Sequence, residues 1–323
     1  MKKAFFSALL MSAITLFPTL SVFAWDDVGH KITAYIAWQQ MTPDVRERVI
    51  KILLAAPEDA QLSTFYLPYG SRTDEARKRE FFMIASSWPD IIRDRNFAIR
   101  YKKYHHSNWH YSDTLWTEKD GKVELVTSIP GEGLAMDKIA EFIKLEQSEA
   151  SDADKAIGIA WLEHLIGDIH QPLHASGRVT DTEPNGDQGA NLFLLTPKDT
   201  PRDKQENLHW FWDSIVVRAM PNTNDSSDDE YIFPIAKDIM KKYPFDKMQS
   251  RLAVDDPEQW KKESFEISST KLYPPDLKRF EMPSNEYKKN AMKIAEERLV
   301  LAGYRMGELF NKLFAAPTGV TIK

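Results

Sequence analysis

Apolar residues recur at i, i+3, i+4 and i+7 in window after window of this chain, the period of a helix that buries one face. The pattern predicts helices over 29–41 and 44–56, the second opened by a Thr42 cap and Pro43. Two more cover 133–147 and 151–170, the latter stopped by Pro172. Shorter ones are expected at 208–219, 229–242 and 257–271, and a long helix over 285–314 closes the chain. Alternation of period two is scarce, with 122–126 and 191–195 the best candidates for short strand pairs. Segments 181–191 and 222–229 read as exposed loops. Nothing repeats, and no Gly- or Ser-rich linker divides the chain. The expected fold class is therefore all-α, mainly helical, with short β-hairpin elements, in one domain over residues 25–323.

The first 24 residues break that pattern. Met1-Lys2-Lys3 is a short basic start, residues 4–22 are predominantly apolar, and Val22-Phe23-Ala24 sets small residues at the −3 and −1 positions of a cleavage site. Residues 1–24 thus read as a secretory signal peptide cut between Ala24 and Trp25, which implies a periplasmic or secreted protein. The alternative is an uncleaved anchor, against which stand the short apolar run and Pro18. The whole 323-residue chain is 42% hydrophobic and 28% charged, which excludes a collagen-like or disordered protein. Its net charge of −6 provides no general basic field, so a polyanion would need a local site. With no cysteine, disulfides, thiolate catalysis and Cys-based zinc sites are out of reach.

The histidines are few and arranged. Of eight, at positions 30, 105, 106, 110, 164, 170, 174 and 209, two stand four residues before an aspartate: His164 with Asp168, and His209 with Asp213. On a helix, i and i+4 share a face, so each pair can point at a common metal. Imidazole nitrogen with carboxylate oxygen suits zinc. An isolated His-x-x-x-Asp is ordinarily a surface contact; two of them, with His174 following one past Pro172, are more persuasive. Asp90, in Ser87-Trp88-Pro89-Asp90, sits where an unpaired carboxylate would be costly, and a metal would remove that cost. His110 lies in Trp109-His110-Tyr111, a setting that a packed aromatic loop would explain equally well.

The run His164-Leu-Ile-Gly-Asp168-Ile-His-Gln-Pro-Leu-His174 resembles the signature of the S-one/P-one nuclease family. The likeness continues through Trp25 with His30, Ser-Trp-Pro-Asp90, Trp-His110-Tyr, Gly186-Asp187-Gln-Gly189-Ala-Asn191 and Asn207-Leu-His209 with Trp212-Asp213. The resemblance implies a helical fold shared with bacterial zinc-dependent phospholipase C, and a secreted enzyme with three zinc ions. One zinc would take Asp90, His110, His164 and one oxygen of Asp168. A second would take His174, His209 and Asp213. The third would take His30, the other oxygen of Asp168, and Trp25 through its carbonyl oxygen and the α-amine that signal cleavage creates. Such an enzyme cleaves single-stranded DNA and RNA to 5′-phosphorylated products and removes 3′-phosphates, using a hydroxide shared by two zincs. Arg93 matches the arginine that steadies phosphoryl charge; its plainer role is a salt bridge to Asp90 or Asp94. Asp113 resembles the aspartate that accepts from a nucleobase edge, and Asp187 and Asn191 fall in the loop lining the same pocket. Which aromatic stacks the base stays open among Trp109, Tyr111, Phe193 and Trp210. His105, His106 and His170 match no ligand position, and His170 reads as a support for the ligands or a surface residue. Family loops usually read Gly-Gly-Asn where this chain has Gly189-Ala190-Asn191, which bears on base preference.

Two other readings use the same residues. A phospholipase C of this scaffold would act at a lipid surface, but carries a glutamate where this chain has Asp213 and has no use for Arg93 and Asp113. A non-catalytic zinc or phosphate carrier would need the ligands alone. No protein partner is implied.

Overall fold

The computed structural model describes residues 25–315. The expected signal segment, residues 1–24, lies outside them. Its helices are α1 (Asp27–Gln40), α2 (Pro43–Leu54), α3 (Asp74–Ile91), α4 (Ala98–Tyr104), α5 (Ala135–Glu146), α6 (Asp152–His170), α7 (Leu208–Asp213), α8 (Ile215–Ala219), α9 (Asp228–Lys242), α10 (Phe245–Met248), α11 (Pro257–Lys271) and α12 (Asn285–Phe314). A small sheet orders β2 (Lys122–Leu125), β1 (Thr114–Lys119) and β3 (Ser176–Arg178), with β1 antiparallel to β2 and parallel to β3. The protein is thus mainly α-helical. Among the described residues, no helix is long and apolar enough to cross a membrane.

Helix α6 is the axis of the molecule. Every residue from Ile159 to His170 is buried, so this stretch of the helix has no solvent face, as its near-continuous apolar run dictates. Helices α2, α3, α5, α11 and α12 pack around it, and α1 lies between α12, α3 and α9. The starts of these helices are set by side-chain caps at Asp26, Thr42, Thr73, Ser151, Asn207 and Ser284, each of which accepts from a first-turn N–H.

Three differences from the sequence pattern have physical causes. Helix α3 was not expected. Its first half is charged throughout, its second half almost unbroken apolar, and neither half shows a stripe. The expected helix 208–219 is broken at Ser214 into α7 and α8; Ser214 leaves the helical conformation while its hydroxyl donates back to the Trp210 carbonyl. The expected strand 191–195 does not form. Leu194 makes only an isolated bridge to Asn207, and the partner of β1 on that side is β3.

Candidate metal centre

Six elements bring the ligands together. Asp26 caps α1 and so places His30 in its first turns, with its ring stacked on His164 at 4.0 Å. Room for that ring comes from Gly167, where a Cβ would stand 2.8 Å from His30 Nδ1. Asp90 ends α3, His110 follows a short 3-10 turn, and His164 and Asp168 lie one turn apart on α6. Beyond α6, the 3-10 turn Pro172–Ala175 carries His174, and α7 carries His209 and Asp213.

Among the described residues, three groups could hold a metal: His30, His164 and Asp168; Asp90, His110 and His164; and His174, His209 and Asp213. Asp168 divides its carboxylate between the first two. Its Oδ1 faces His30 Nε2 at 3.3 Å, while Oδ2 lies 3.1 Å from His110 Nδ1 and 3.3 Å from His164 Nε2. Asp90 Oδ1 is 3.7 Å from His164 Nε2 and 4.0 Å from His110 Nδ1. In the third group, Asp213 meets His174 Nε2 at 3.8 Å and His209 Nε2 at 3.3 Å. Ligand atoms about 2.0–2.2 Å from a tetrahedral zinc stand about 3.3–3.6 Å apart, close to these separations.

The backbone decides which nitrogen three of the five histidines offer. His164 Nδ1–H donates to the Ser86 carbonyl at 2.8 Å, His174 Nδ1–H to the His110 carbonyl at 2.6 Å, and His209 Nδ1–H to the Gly189 carbonyl at 2.6 Å. A carbonyl only accepts, so in each ring the proton is on Nδ1 and the Nε2 lone pair faces carboxylate. Lone pair against carboxylate is repulsive unless a cation lies between them. Asp168 Oδ1, Asp213 Oδ2 and both ring nitrogens of His30 are buried and make no hydrogen bond. Burial pushes the Asp168 carboxyl well above the usual range, with the Asp90 charge adding to it, and pushes Asp213 up to about 7. Burial likewise pulls His30, His110 and His164 well below 6.5, so these rings are neutral donors at pH 7. Neutral imidazoles and buried carboxylates without counter-charge are a donor set that fits zinc.

One residue beside the ligands, Gln171, was not singled out by sequence. Gln171 donates from its amide to Asp213 Oδ1 at 2.7 Å and accepts from Leu173 N–H, locking the turn before His174 to the third group. Its signal was only its place between His170 and Pro172. His170 is buried: its Nδ1–H donates to the Ile166 carbonyl and its Nε2 accepts from Arg305 at 2.7 Å. The Gly189 carbonyl that orients His209 sits in a left-handed turn, with φ of 56° at Gln188, 59° at Gly189 and 67° at Ala190. A β-carbon at Ala190 in that conformation costs roughly 1–2 kcal/mol.

The remaining candidates fall as follows. Arg93 reaches Asp90 Oδ1 at 2.8 Å from the edge of the centre. Trp25 is buried, and the next residue's N–H donates to the Asp213 carbonyl at 3.0 Å, which holds this segment beside the third group. Burial, with the Asp187 and Glu132 charges, pushes Asp113 up to about 8. Asp187 has both oxygens engaged, Oδ2 by the Tyr273 hydroxyl at 2.7 Å and Oδ1 by Arg178 N–H at 2.9 Å. Asn191 donates to the Gln188 carbonyl within the turn. Of the four aromatics, Trp109 is stacked on His106 at 3.8 Å and Phe193 is buried, while Trp210 is 37% exposed.

A family model described as S1/P1 Nuclease matches residues 25–315. Over 162 residues, 49% of this chain and 49% of the relative, the chain is 26% identical to Endonuclease 1 of Arabidopsis thaliana. Over 146 residues, 44% of this chain and 50% of the relative, it is 23% identical to Phospholipase C of Bacillus cereus. The chain spans about half the length of these curated relatives.

Proposed function

The chain belongs to the S1/P1 nuclease family, and on that premise we propose that it is a zinc-dependent phosphodiesterase. Its substrates are single-stranded DNA and RNA, its products carry 5′-phosphates, and it also acts as a 3′-nucleotidase. The observation that carries this reading is Asp168, one carboxylate shared between two histidine groups. Asp90, His110 and His164 would hold one zinc with Asp168 Oδ2. His30 and the Trp25 amine would hold another with Asp168 Oδ1, and His174, His209 and Asp213 the third. Zinc at these positions supplies Lewis-acid charge and a water of lowered pKa.

The protein's own groups supply position and charge. Three zinc ions bring six positive charges against three from Asp90, Asp168 and Asp213, so an acidic protein acquires one local trap for phosphate. The Arg93 guanidinium, tethered by Asp90, lies where it can donate to phosphoryl oxygens as charge builds on them. Asp113 and Asn191 would hydrogen-bond a base edge, and Asp187 would keep that pocket's loop in shape through Tyr273 and Arg178. Signal cleavage before Trp25, in a periplasmic or secreted protein, would complete the site.

The test is hydrolysis of single-stranded DNA by protein beginning at Trp25, with and without a zinc chelator. Chelator-sensitive release of 5′-mononucleotides is expected. No cleavage by protein shown to hold three zincs would overturn the reading; phosphatidylcholine, the substrate of a phospholipase C on this scaffold, is the next assay.

A further inference from the structure

Residues 93–106 leave the centre as a basic and aromatic ledge. They include Arg93, Arg95, Arg100, Lys102 and Lys103 against one acid, Asp94, in a chain whose net charge is −6. Three of the five cations are committed. Arg93 pairs with Asp90, Arg100 is buried and donates to the Ile91 carbonyl, and Lys103 pairs with Asp59 at 2.7 Å. Arg95 and Lys102 are exposed, and among the described residues neither has a carboxylate within 4.0 Å.

Rings interleave with these charges. The Arg95 guanidinium lies 5.5 Å from the Tyr101 ring, and Tyr101 stacks on His105 with centroids 4.9 Å apart. His105 is close enough to the centre for the charges of Arg93 and Asp90 both to act on its ring. Its Nδ1 is buried and makes no hydrogen bond. Phe97 and Ile99 are 44% and 71% exposed, with the Arg100 guanidinium 4.3 Å from the Phe97 ring, an apolar edge on the same segment as these cations. Charge for phosphates, with ring and apolar faces for bases, is the combination that holds single strands irrespective of sequence.

We propose that the ledge from Arg95 to His105 is the track for the part of a single strand that runs on beyond the scissile phosphate. Arg95 and Lys102 meet its phosphates, and Phe97, Ile99 and the Tyr101 stack carry its bases. The ledge starts two residues after Arg93, whose guanidinium meets Asp90 at the edge of the centre, and the inference rests on the nuclease reading for its direction.

The test compares the zinc-loaded full protein with its Arg95→Ala/Lys102→Ala variant, both changes being at exposed positions. Substrates are a dinucleotide, which cannot reach the ledge, and an oligothymidylate of about 15 residues; binding of a labelled phosphorothioate of that length is read by anisotropy. In the variant, kcat/KM for the dinucleotide stays within about twofold, while affinity for the longer strand falls about tenfold. The slope of log affinity against log salt becomes shallower by about 1.4, the loss of two single-strand phosphate contacts. An equal effect on both substrates, or an unchanged salt slope, would overturn the track. If the unaltered protein cleaves neither substrate, the nuclease reading fails, and anisotropy still decides the ledge: equal binding by protein and variant removes it.

Discussion

Asp168 is the residue on which the centre turns, because its two oxygens face different histidine groups. Asp168→Asn keeps the shape but removes the charge and leaves an amide NH₂ facing one group. We expect metal content to fall from three zincs per chain to about one, the third group keeping its ion since Gln171 and the Gly189 carbonyl orient it independently. Elemental analysis of the purified variant checks this, and retention of all three would remove the bridging role. Arg93 acts differently. Arg93→Ala removes no ligand, only the guanidinium that meets Asp90 Oδ1 at 2.8 Å, so zinc content should be unchanged while kcat on single-stranded DNA falls by roughly 10²–10³. A fall in metal content instead would make Arg93 a support for Asp90.

At the scale of elements, α6 must be held still from behind if His164, Asp168 and His174 are to stay in register. A buried network does this. Arg298 donates to the His170 carbonyl and pairs with Glu263 at 2.7 Å; Arg305 donates to His170 Nε2 and pairs with the same Glu263 at 2.8 Å. One carboxylate on α11 thus serves two buried guanidinium groups on α12. Burial already lowers the Arg298 pKa to about 10 despite that partner. Glu263→Gln leaves both cations uncompensated and should cost about 3–5 kcal/mol, lowering Tm by roughly 10 °C. Calorimetry on the zinc-loaded protein checks it, and a shift of only a degree or two would mean the guanidiniums are solvated by other groups.

Across the whole molecule, the buried carboxyls set how stability depends on pH once metal is withdrawn. Burial pushes Asp213 up to about 7, Asp113 and Glu146 up to about 8, and Asp168 well above its ordinary 3.8. Each is protonated in the folded chain at a pH where the unfolded chain has ionised, so each loses stability as pH rises toward its folded value. The buried histidines, pulled below 6.5, are neutral in both states above that pH and add no slope there. The chelated protein should therefore lose stability from pH 6.5 to 8. The zinc-loaded protein should lose less, because metal holds Asp168 and Asp213 ionised. Thermal unfolding with and without chelator at both pH values tests this; a gap that narrows as pH rises would contradict the assignment.

Much of this was written in local order along the chain. The period of 3.6 marked α1, α2, α5, α6, α9, α11 and α12, since each turns one apolar face, or all of them, to the core. The i, i+4 spacing of His164 with Asp168 and His209 with Asp213 placed each pair on one face wherever that helix went. Helix α3 escaped because a charged half followed by an apolar half has no stripe, although it carries Asp90. What spacing could not express was contact between distant segments. His110 meets His164 across 54 residues of chain, and the protons on the His164, His174 and His209 rings are placed by the carbonyls of Ser86, His110 and Gly189. The Tyr273 hydroxyl that holds Asp187 comes from 86 residues away. Residue type and spacing specify which atoms can bind metal; only the packed backbone decides which lone pair of each faces inward, because that choice depends on where a carbonyl from another element comes to rest.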